Sequence, residues 1–337
     1  MTKNAGIAAL SAMLLLATAA CDAEVREQQA AEEQAAAQGP PAPTDVPTAC
    51  EVEGEPVEIG LVTINLQALF FNQIITGAQR VADEAGADLQ VVNGDDDSVT
   101  QANAINDLVA SGVDAVVVDA VDTEGIRPAV RGADAAGVPV VAVDATVDDP
   151  AVSTQVGVEN AEGGAQIGEH LLEESGGEGT VHVVSALNST VQLERQEGFT
   201  EAVEDGGMAA GTVVDGRNIQ EDAQTAAENL LTGDPDTEYV YATGEPALIG
   251  LAAAVRGQNA ADRVTVVGWD MSEPAVDGLR EGWISGVVQQ NTFEFGYASM
   301  ASAIRLACGE EAPEDIPVPI QIVTPDNVED YLYYLEK

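Results

Sequence analysis

Short apolar runs alternate with amphipathic stretches along most of the chain. From position 57 onwards the runs are rich in Val and Ile and recur about every 25 to 30 residues, with helical periodicity between them. This pattern is typical of βαβ units whose parallel strands are buried on both faces. In the first half, strands are predicted over 57–63, 89–93, 115–119 and 140–144, and helices begin near Phe70, Ser98 and Gly125.

The alternation starts again in the second half of the chain. After a predicted strand at 154–158, further strands are expected at 180–185, 212–215, 239–243 and 264–270. Two similar halves predict an α/β fold with two doubly wound parallel-sheet domains. In such sheets ligands bind beyond the carboxyl ends of the strands, so two facing domains place their binding edges across one cleft. Polar residues fall at or just after these ends: Asn65, Gln67, Asp119, Asp144, Asp270 and Gln290.

The charge of the chain excludes one large class of partners. Its 58 acidic and 12 basic side chains give a net charge of -46, whereas nucleic-acid binding needs clustered Lys and Arg. An apolar content of 45% is enough to build cores, and 337 residues suit two domains. The acidity therefore describes a surface, and we expect added NaCl to stabilise it by screening.

The first 21 residues have the organisation of an export signal. A lysine precedes an apolar stretch, 7–17, which is too short to remain in a bilayer and is followed by small residues. Residues 18–21 resemble the lipobox of bacterial lipoproteins, although Thr18 stands where that motif usually has Leu. The resemblance implies lipidation at Cys21; the alternative is an ordinary secretory signal cleaved after Ala20.

Residues 22–55 have no apolar periodicity. The segment is rich in Glu, Gln and Ala and then in Pro, notably over 39–43. Such a segment cannot bury a core, so we expect a disordered tether that lets the folded part move about 30 Å from a membrane.

The sequence lacks the usual motifs for catalysis, cofactors and metals. It has no Gly-rich phosphate loop of the dinucleotide or Walker type. Residues 93–98 look like a calcium loop but lack its spaced ligands and terminal Glu, and we expect a strand-to-helix turn there. His170 and His182 have no serine or cysteine nucleophile elbow to pair with. No catalytic residue, cofactor or metal is therefore expected.

Several short segments follow one another in a distinctive order. They are 59–62 with 69–71 and 77–79, 137–141 ending in Asp144, Asn160 with 163–164, 194–195 with 198–199, 267–270, and 289–290. Together they resemble the type I periplasmic binding proteins, and among these the ribose-binding branch that serves ABC sugar importers. The match extends from about 57 to 323.

The resemblance implies how the chain is divided. Three crossings near 157–159, 289–291 and 317–320 would form a hinge between an N-terminal lobe, 56–158 plus 291–317, and a C-terminal lobe, 159–290 plus 318–337. Closure of the lobes on a ligand is what a transporter can sense. The implied function is capture of a small solute by an extracytoplasmic, lipid-anchored monomer and delivery to an ABC permease, with no bond made or broken.

The resemblance also implies a set of ligand-binding residues. Carboxylates and amides can satisfy pairs of sugar hydroxyls, while aromatic rings can stack on the apolar face of the sugar. For the two phenylalanines, one in the cleft and one in the core is expected, and the two aspartates could instead be helix caps or hinge contacts. Arg195 is expected to be structural. The implied set is Asn65, Gln67, Phe70, Phe71, Asp119, Asp144, Asn218, Glu245, Trp269, Asp270 and Gln290.

The departures from ribose binders change the expected ligand. Ala145 and Leu193 stand where that branch has arginines, Ala68 and Gly244 stand where it has asparagines, and Asp119 replaces a third asparagine. A neutral sugar or polyol is expected, an amine-bearing compound would be tolerated, and acidic or phosphorylated ligands would be repelled. Ribose itself is not expected. The cleft becomes rich in carboxylates, namely Asp119, Asp122, Asp144, Glu245 and Asp270.

Two cysteines remain after Cys21. Cys50 precedes the first strand, and in the implied fold Cys308 ends a long helix that runs back to the same edge of the N-terminal lobe. A disulfide between them is expected in an exported protein, with two free thiols as the alternative.

Three other functions are weighed against the solute receptor. A regulator of the lactose-repressor type would need a basic helix-turn-helix before Val57, where the chain has an acidic tether. A lipoprotein enzyme on this fold would need a nucleophile and base, and none is visible. A sensor that reports its ligand to a membrane receptor or kinase cannot be separated from an importer by sequence, and it stays open as the alternative.

Overall fold

The computed structural model describes residues 42–52 and 54–335. The predicted signal peptide, Cys21 and most of the predicted tether lie outside these residues. Within the described part, a short antiparallel pair, β1 (Glu51–Val52) and β2 (Glu55–Pro56), precedes two large sheets.

The first sheet belongs to the N-terminal lobe. Its order is β13-β7-β6-β5-β3-β4, and all neighbouring strands are parallel. The order reverses between β3 and β5, which is where doubly wound sheets bind ligands. The strands are β3 (Glu58–Thr63), β4 (Asp88–Asn93), β5 (Ala115–Val118), β6 (Val140–Asp144), β7 (Val152–Gly157) and β13 (Asp315–Pro317), and the helices are α1 (Leu69–Ala85), α2 (Ser98–Ser111), α3 (Arg127–Ala135) and α9 (Thr292–Ala307).

The second sheet repeats this arrangement in the C-terminal lobe. Its order is β14-β12-β11-β10-β8-β9, with β14 antiparallel to β12 and the other pairs parallel. The strands are β8 (Thr180–Ser185), β9 (Ala209–Asp215), β10 (Tyr239–Ala242), β11 (Thr265–Trp269), β12 (Ile284–Gln290) and β14 (Ile320–Val323), and the helices are α4 (Asn160–Ser175), α5 (Thr190–Asp205), α6 (Gln220–Gly233), α7 (Glu245–Gly257) and α8 (Glu273–Glu281). The described chain ends in a 3-10 helix, Val328–Leu335.

The chain passes between the sheets three times. The crossings lie between β7 and α4, between β12 and α9, and between β13 and β14. Two doubly wound lobes joined by three segments confirm the predicted fold class. The central strands explain why the chain adopts this fold. Ala115–Val118 and Val140–Asp144 are buried along their whole length, as expected of a parallel sheet that is covered by helices on both faces.

The N-terminal segment is held at one end of the N-terminal lobe. Cys50 and Cys308, the pair predicted from sequence, form a disulfide with their Cα atoms 5.7 Å apart. The Ala49 N–H donates to the Ala85 carbonyl at 3.2 Å, and Asp45 pairs with Arg305 at 2.9 Å. These contacts lie where β3 begins and α9 ends, so they are at the edge of the sheet opposite the carboxyl ends of its strands.

Candidate ligand-binding cleft

A cavity lies where the carboxyl ends of the two sheets face each other. We call it the cleft cavity. It is narrow, with a volume of about 30 Å³. The N-terminal lobe contributes Ile64, Ala68, Phe70, Phe71 and Asp144, and the C-terminal lobe contributes Ser189, Val191, Gln192, Arg195, Asn218, Gly244, Glu245, Pro246 and Asp270.

Arg195, on α5, is buried at the floor of the cavity. Its Nε donates to Asn160 Oδ1 at 2.8 Å, its Nη1 to the Thr243 carbonyl at 3.3 Å, and its Nη2 to Gln290 Oε1 at 3.1 Å. The guanidinium carbon lies 3.8 Å from the centroid of the Trp269 ring. These contacts agree with the structural role expected for Arg195, and they leave few of its N–H groups for a ligand.

Asp144 and Asp270 lie on either side of this guanidinium. Asp144 ends β6 and Asp270 follows β11, and both have positive φ angles, 63° and 66°, a region that residues other than glycine rarely occupy. Asp144 Oδ1 lies 3.7 Å from Arg195 Nη2, and Asp270 Oδ2 lies 4.0 Å from Arg195 Nη1. Gln290 Nε2 donates to Asp270 Oδ1 at 3.0 Å. Neither aspartate is the N-cap of the described helix that follows it, whereas Asp270 does contact the predicted hinge crossing through Gln290.

Burial dominates the ionisation of the carboxyls around Arg195. It raises the pKa of Asp270 to about 7, although Arg195 and Gln290 oppose the shift. Burial also raises the pKa of Asp144. The pKa of Asp119 is raised well above its usual value, first by burial and then by the nearby Asp144 carboxylate. One guanidinium does not offset the loss of water around three carboxyls.

Glu245 joins the two lobes. It begins α7 in the C-terminal lobe, and its carboxylate accepts hydrogen bonds from the backbone N–H groups of Leu69 at 3.0 Å and Phe70 at 2.8 Å. These N–H groups belong to the first turn of α1 in the other lobe, whose own N-cap residue, Ala68, makes no side-chain cap. Glu245 therefore caps a helix across the cleft, where the orphan N–H groups and helix dipole favour a negative charge.

A second bridge runs through side-chain amides. Gln192 Nε2 donates to Asn218 Oδ1 at 2.6 Å, and Asn218 Nδ2 donates across the cleft to Asp96 Oδ1 at 3.4 Å. Asp96 Oδ1 also accepts from Asn65 Nδ2 at 2.9 Å. The Asn65 Oδ1 atom accepts from the backbone N–H groups of residues 67 and 68, so Asn65 shapes the loop that leads into α1.

Some of the predicted site residues line the cleft cavity and the others lie near it. Phe70 and Phe71 both line the cavity and are both buried, with ring centroids 5.2 Å apart in an edge-on arrangement, so the structure does not divide them between cleft and core. The other predicted residues that line it are Asp144, Asn218, Glu245 and Asp270.

The remaining predicted residues lie near the cavity without lining it. Asn65 and Gln67 border a groove at its mouth, and Asp119 is 1% exposed, with neither carboxyl oxygen hydrogen-bonded. Gln290 is buried between Arg195 and Asp270. Trp269 was expected to offer a ring face to the ligand, but its side chain is fully buried and its ring is covered by Arg195, so it cannot stack on a sugar in this structure.

Some residues that line the cavity are not among those predicted from sequence. The most notable is Gln192, which lies one turn before Arg195 on α5 and faces the same cavity. The i, i+3 spacing of two polar side chains on a helix that begins at a cleft edge was the available signal. Ser189, the N-cap of the same helix, also lines the cavity and was not predicted.

The described ranges contain neither a cluster suited to a metal nor a membrane span. Across residues 42–52 and 54–335, no three His, Cys, Asp or Glu side chains are grouped so as to hold a metal ion. None of the helices in those ranges is both long and apolar enough to span a bilayer.

Comparison with known proteins decides the family. The family model of the periplasmic binding protein domain matches residues 59–311, which is most of the described chain. The chain belongs to the periplasmic binding protein family. It is a ribose-binding-protein-like type I member, as the resemblance implied, and this binding protein is not an enzyme.

Three relatives illustrate the family. The ribose import binding protein of Bacillus subtilis is 26% identical over 267 residues, covering 79% of this chain and 87% of the relative. A xylitol-binding protein of Mycolicibacterium smegmatis is 25% identical over 272 residues, covering 80% and 77%. The crystal structure of an ABC transporter solute-binding protein from Mycobacterium smegmatis with bound glycerol matches with a TM-score of 0.76 at 26% identity, covering 82% and 97%.

Proposed function

We propose that this protein is an extracytoplasmic solute receptor that captures a sugar or polyol between its lobes and delivers it to an ABC import permease. The observation that carries the proposal is a cavity at the carboxyl edges of both sheets, with carboxylates from both lobes and aromatic rings from the N-terminal lobe. The names of its relatives, which bind ribose, xylitol and glycerol, support a hydroxylated ligand.

Each side chain has a role in this proposal. Asp144 and Asp270 accept hydrogen bonds from the ligand, and Phe70 and Phe71 contact its apolar face. Gln290 orients Asp270 from behind. Asn65, Gln67, Asp119, Asn218 and Glu245 shape or bridge the walls of the cavity.

The hinge is needed because both lobes line the cavity. Glu245 and Asn218 bridge the lobes across it, so the lobes must separate for the ligand to enter. The bridges made by Glu245 and Asn218 then re-form as the lobes close. The bound ligand favours the closed form, and this closed form is what a permease can recognise.

The location and the division of the chain are part of the same proposal. Cys21 carries the lipid, the residues between it and the segment that is held to the N-terminal lobe from Asp45 onwards form the tether, and the protein acts as a monomer on the outer side of the cytoplasmic membrane or at the cell surface. The lobes are 56–158 plus 291–317 and 159–290 plus 318–337. Extracytoplasmic binding proteins among the relatives support the location, and metabolic labelling with a fatty acid that is lost in Cys21→Ser would test the anchor.

The proposal is tested by calorimetric titration of the purified protein with sugars and polyols. We expect one saturable ligand with a dissociation constant in the micromolar range or below, bound at least tenfold more weakly by Asp144→Ala. Uptake of the same ligand should fall when the gene is deleted. Loss of a signalling response with uptake intact would instead favour the sensor.

A further inference from the structure

The polar groups of the cleft cavity form two sets with different hydrogen-bonding capacities. We call Asp144 and Asp270 the acid pair, and Gln192 and Asn218 the amide pair. The acid pair flanks Arg195, and the amide pair is linked by a hydrogen bond of 2.6 Å. The ligand class that these two sets select rests on the proposed function, because it concerns the solute that this cavity receives.

The neighbourhood of the acid pair offers almost no donors. Three of the five N–H groups of Arg195 donate to Asn160, Thr243 and Gln290. The two N–H groups that remain face the acid pair. Among the described residues that line the cavity, Arg195 is the only lysine or arginine. A ligand oxygen placed beside the acid pair would therefore find several carboxylate oxygens and, as donors, only the two remaining N–H groups of Arg195, which already face those carboxylates.

The same neighbourhood offers unused acceptors. Asp144 is 4% exposed, lines the cavity, and its Oδ1 atom accepts no hydrogen bond. Asp270 is 5% exposed, and its only hydrogen bond from a described side chain is the one from Gln290 to Oδ1. Behind them Asp119 has two buried oxygens without a partner. Buried carboxylates without donors are costly, so a ligand that supplies donors gains most here.

The amide pair has the opposite character. Gln192 and Asn218 each use one amide N–H on a protein partner, Asn218 and Asp96 respectively, so each keeps a second N–H. The hydroxyl of Ser189, beside them, can donate or accept. These groups suit ligand hydroxyls, which need both donors and acceptors.

A hydroxyl brings lone pairs that need donors, whereas an ammonium group has three N–H donors and no acceptor. An ammonium also compensates the charge of the acid pair when both carboxyls are ionised, which the single Arg195 guanidinium cannot do alone, and the rings of Phe70 and Phe71 in the same cavity can favour a cation through their faces. We propose that the ligand of the cleft is an amino sugar or amino polyol, with its protonated amine seated against Asp144 and Asp270 and its hydroxyls directed to Gln192, Asn218 and Ser189. This sharpens the sequence-based expectation, in which a neutral ligand came first and an amine was tolerated.

Matched pairs of compounds test the proposal by calorimetry on the intact protein. The pairs are D-glucosamine with D-glucose, 1-amino-1-deoxy-D-sorbitol with D-sorbitol, and 1-amino-1-deoxyxylitol with xylitol; N-acetyl-D-glucosamine removes the charge but keeps the nitrogen. We expect the amine to bind at least tenfold tighter than its neutral partner in one or more pairs. The preference should persist when NaCl is raised, because a buried pair is screened little, whereas a preference that disappears would reflect only the net charge of -46 and would overturn the proposal.

Two variants locate the amine. Asp144→Asn and Asp270→Asn keep the side-chain size, and each should reduce the amine preference at least tenfold, while Glu169→Gln, an exposed carboxylate on α4, should leave it unchanged. An amine preference that survives both cavity variants overturns the proposed seat.

The outcomes separate this inference from the proposed function. Neutral members that bind as tightly as their amines, or more tightly, overturn the inference and leave the solute receptor intact. If no member of any pair binds to protein whose fold is verified by circular dichroism, both the amino ligand and the assignment to hydroxylated solutes are overturned.

Discussion

The ionisation of Asp270 depends strongly on the fold. Burial raises its pKa from 3.8 to about 7 against the opposing effect of Arg195, and the Glu245 and Asp144 carboxylates raise it further. An acid with a raised pKa binds its proton more tightly in the folded protein than in the unfolded chain. Its contribution to stability is therefore complete below about pH 4 and is lost as the pH rises to about 7.

The substitution Asp270→Asn should remove this dependence. We expect the free energy of unfolding of the variant to fall less steeply between about pH 4 and pH 7 than that of the wild type, so the variant gains relative stability at neutral pH. Urea denaturation of both proteins along a pH series measures the difference. Parallel curves for the two proteins would show that Asp270 ionises normally in the folded state.

At the scale of single residues, Asp144 and Asp270 line the cavity and Trp269 does not. Asp144 and Asp270 were predicted because each follows a clear apolar strand, and the end of a parallel strand points to the ligand edge. The orientation of Trp269 could not be predicted because both faces of a parallel sheet are buried, so no polar alternation shows which way a strand residue faces. Its ring instead packs toward α4, where a Cβ on Gly163 would come within 2.6 Å of it.

The contact between α4 and α5 depends on glycine. A Cβ on Gly164 would lie 2.1 Å from the Arg195 carbonyl oxygen, and one on Gly198 would lie 1.9 Å from the Ala161 carbonyl oxygen. The two helices therefore approach backbone to backbone, and this close approach places Arg195 beneath the cavity. Nothing in the apolar periodicity of either helix predicts such a distance.

Gly164→Ala should be strongly destabilising. The new methyl group cannot be accommodated without moving α5, and overpacking of this kind costs about 1–3 kcal/mol or more. Thermal unfolding measures the loss. The matched control is Gly257→Ala at the end of α7, where a Cβ meets nothing within 4 Å and alanine should be neutral or slightly stabilising. Equal effects of the two substitutions would contradict the packing argument.

The hydrogen bonds from the first turn of α1 to Glu245 of α7 should control how readily the lobes separate. Glu245→Ala removes the carboxylate that accepts from the Leu69 and Phe70 N–H groups, and loss of a cap costs about 0.5–2 kcal/mol. We expect a larger radius of gyration by small-angle X-ray scattering, with Glu245→Gln intermediate because one carbonyl acceptor remains. The exposed Glu169→Ala is the control, and an unchanged radius in Glu245→Ala would contradict the bridge.

The strands were easier to predict than the bridges between lobes. The bounds of β6 and β8 agree with the sequence at both ends, because long runs of Val dictate burial over their own length. The Asn218 to Asp96 contact joins loops that are far apart in the chain. Such a contact depends on the angle between the lobes, which no local pattern encodes.

At the scale of the molecule, acidic side chains far outnumber basic ones, so the charges repel one another. A net charge of -46 on 337 residues produces repulsion that salt screens over a distance of about 10 Å at 0.1 M. We expect the melting temperature to rise when NaCl is added at neutral pH. An equal concentration of a neutral osmolyte is the control, and a melting temperature that does not respond to NaCl would show that the surface acids are already compensated.

The disulfide between Cys50 and Cys308 has a mechanical consequence. It ties the incoming chain to the base of the N-terminal lobe, at the edge away from the cleft, and Asp45 and Ala49 hold the chain to that lobe as well. We therefore expect tension on the segment before Cys50 to load α9 and the end of α1, both in the N-terminal lobe, and to leave the hinge and the C-terminal lobe unstrained.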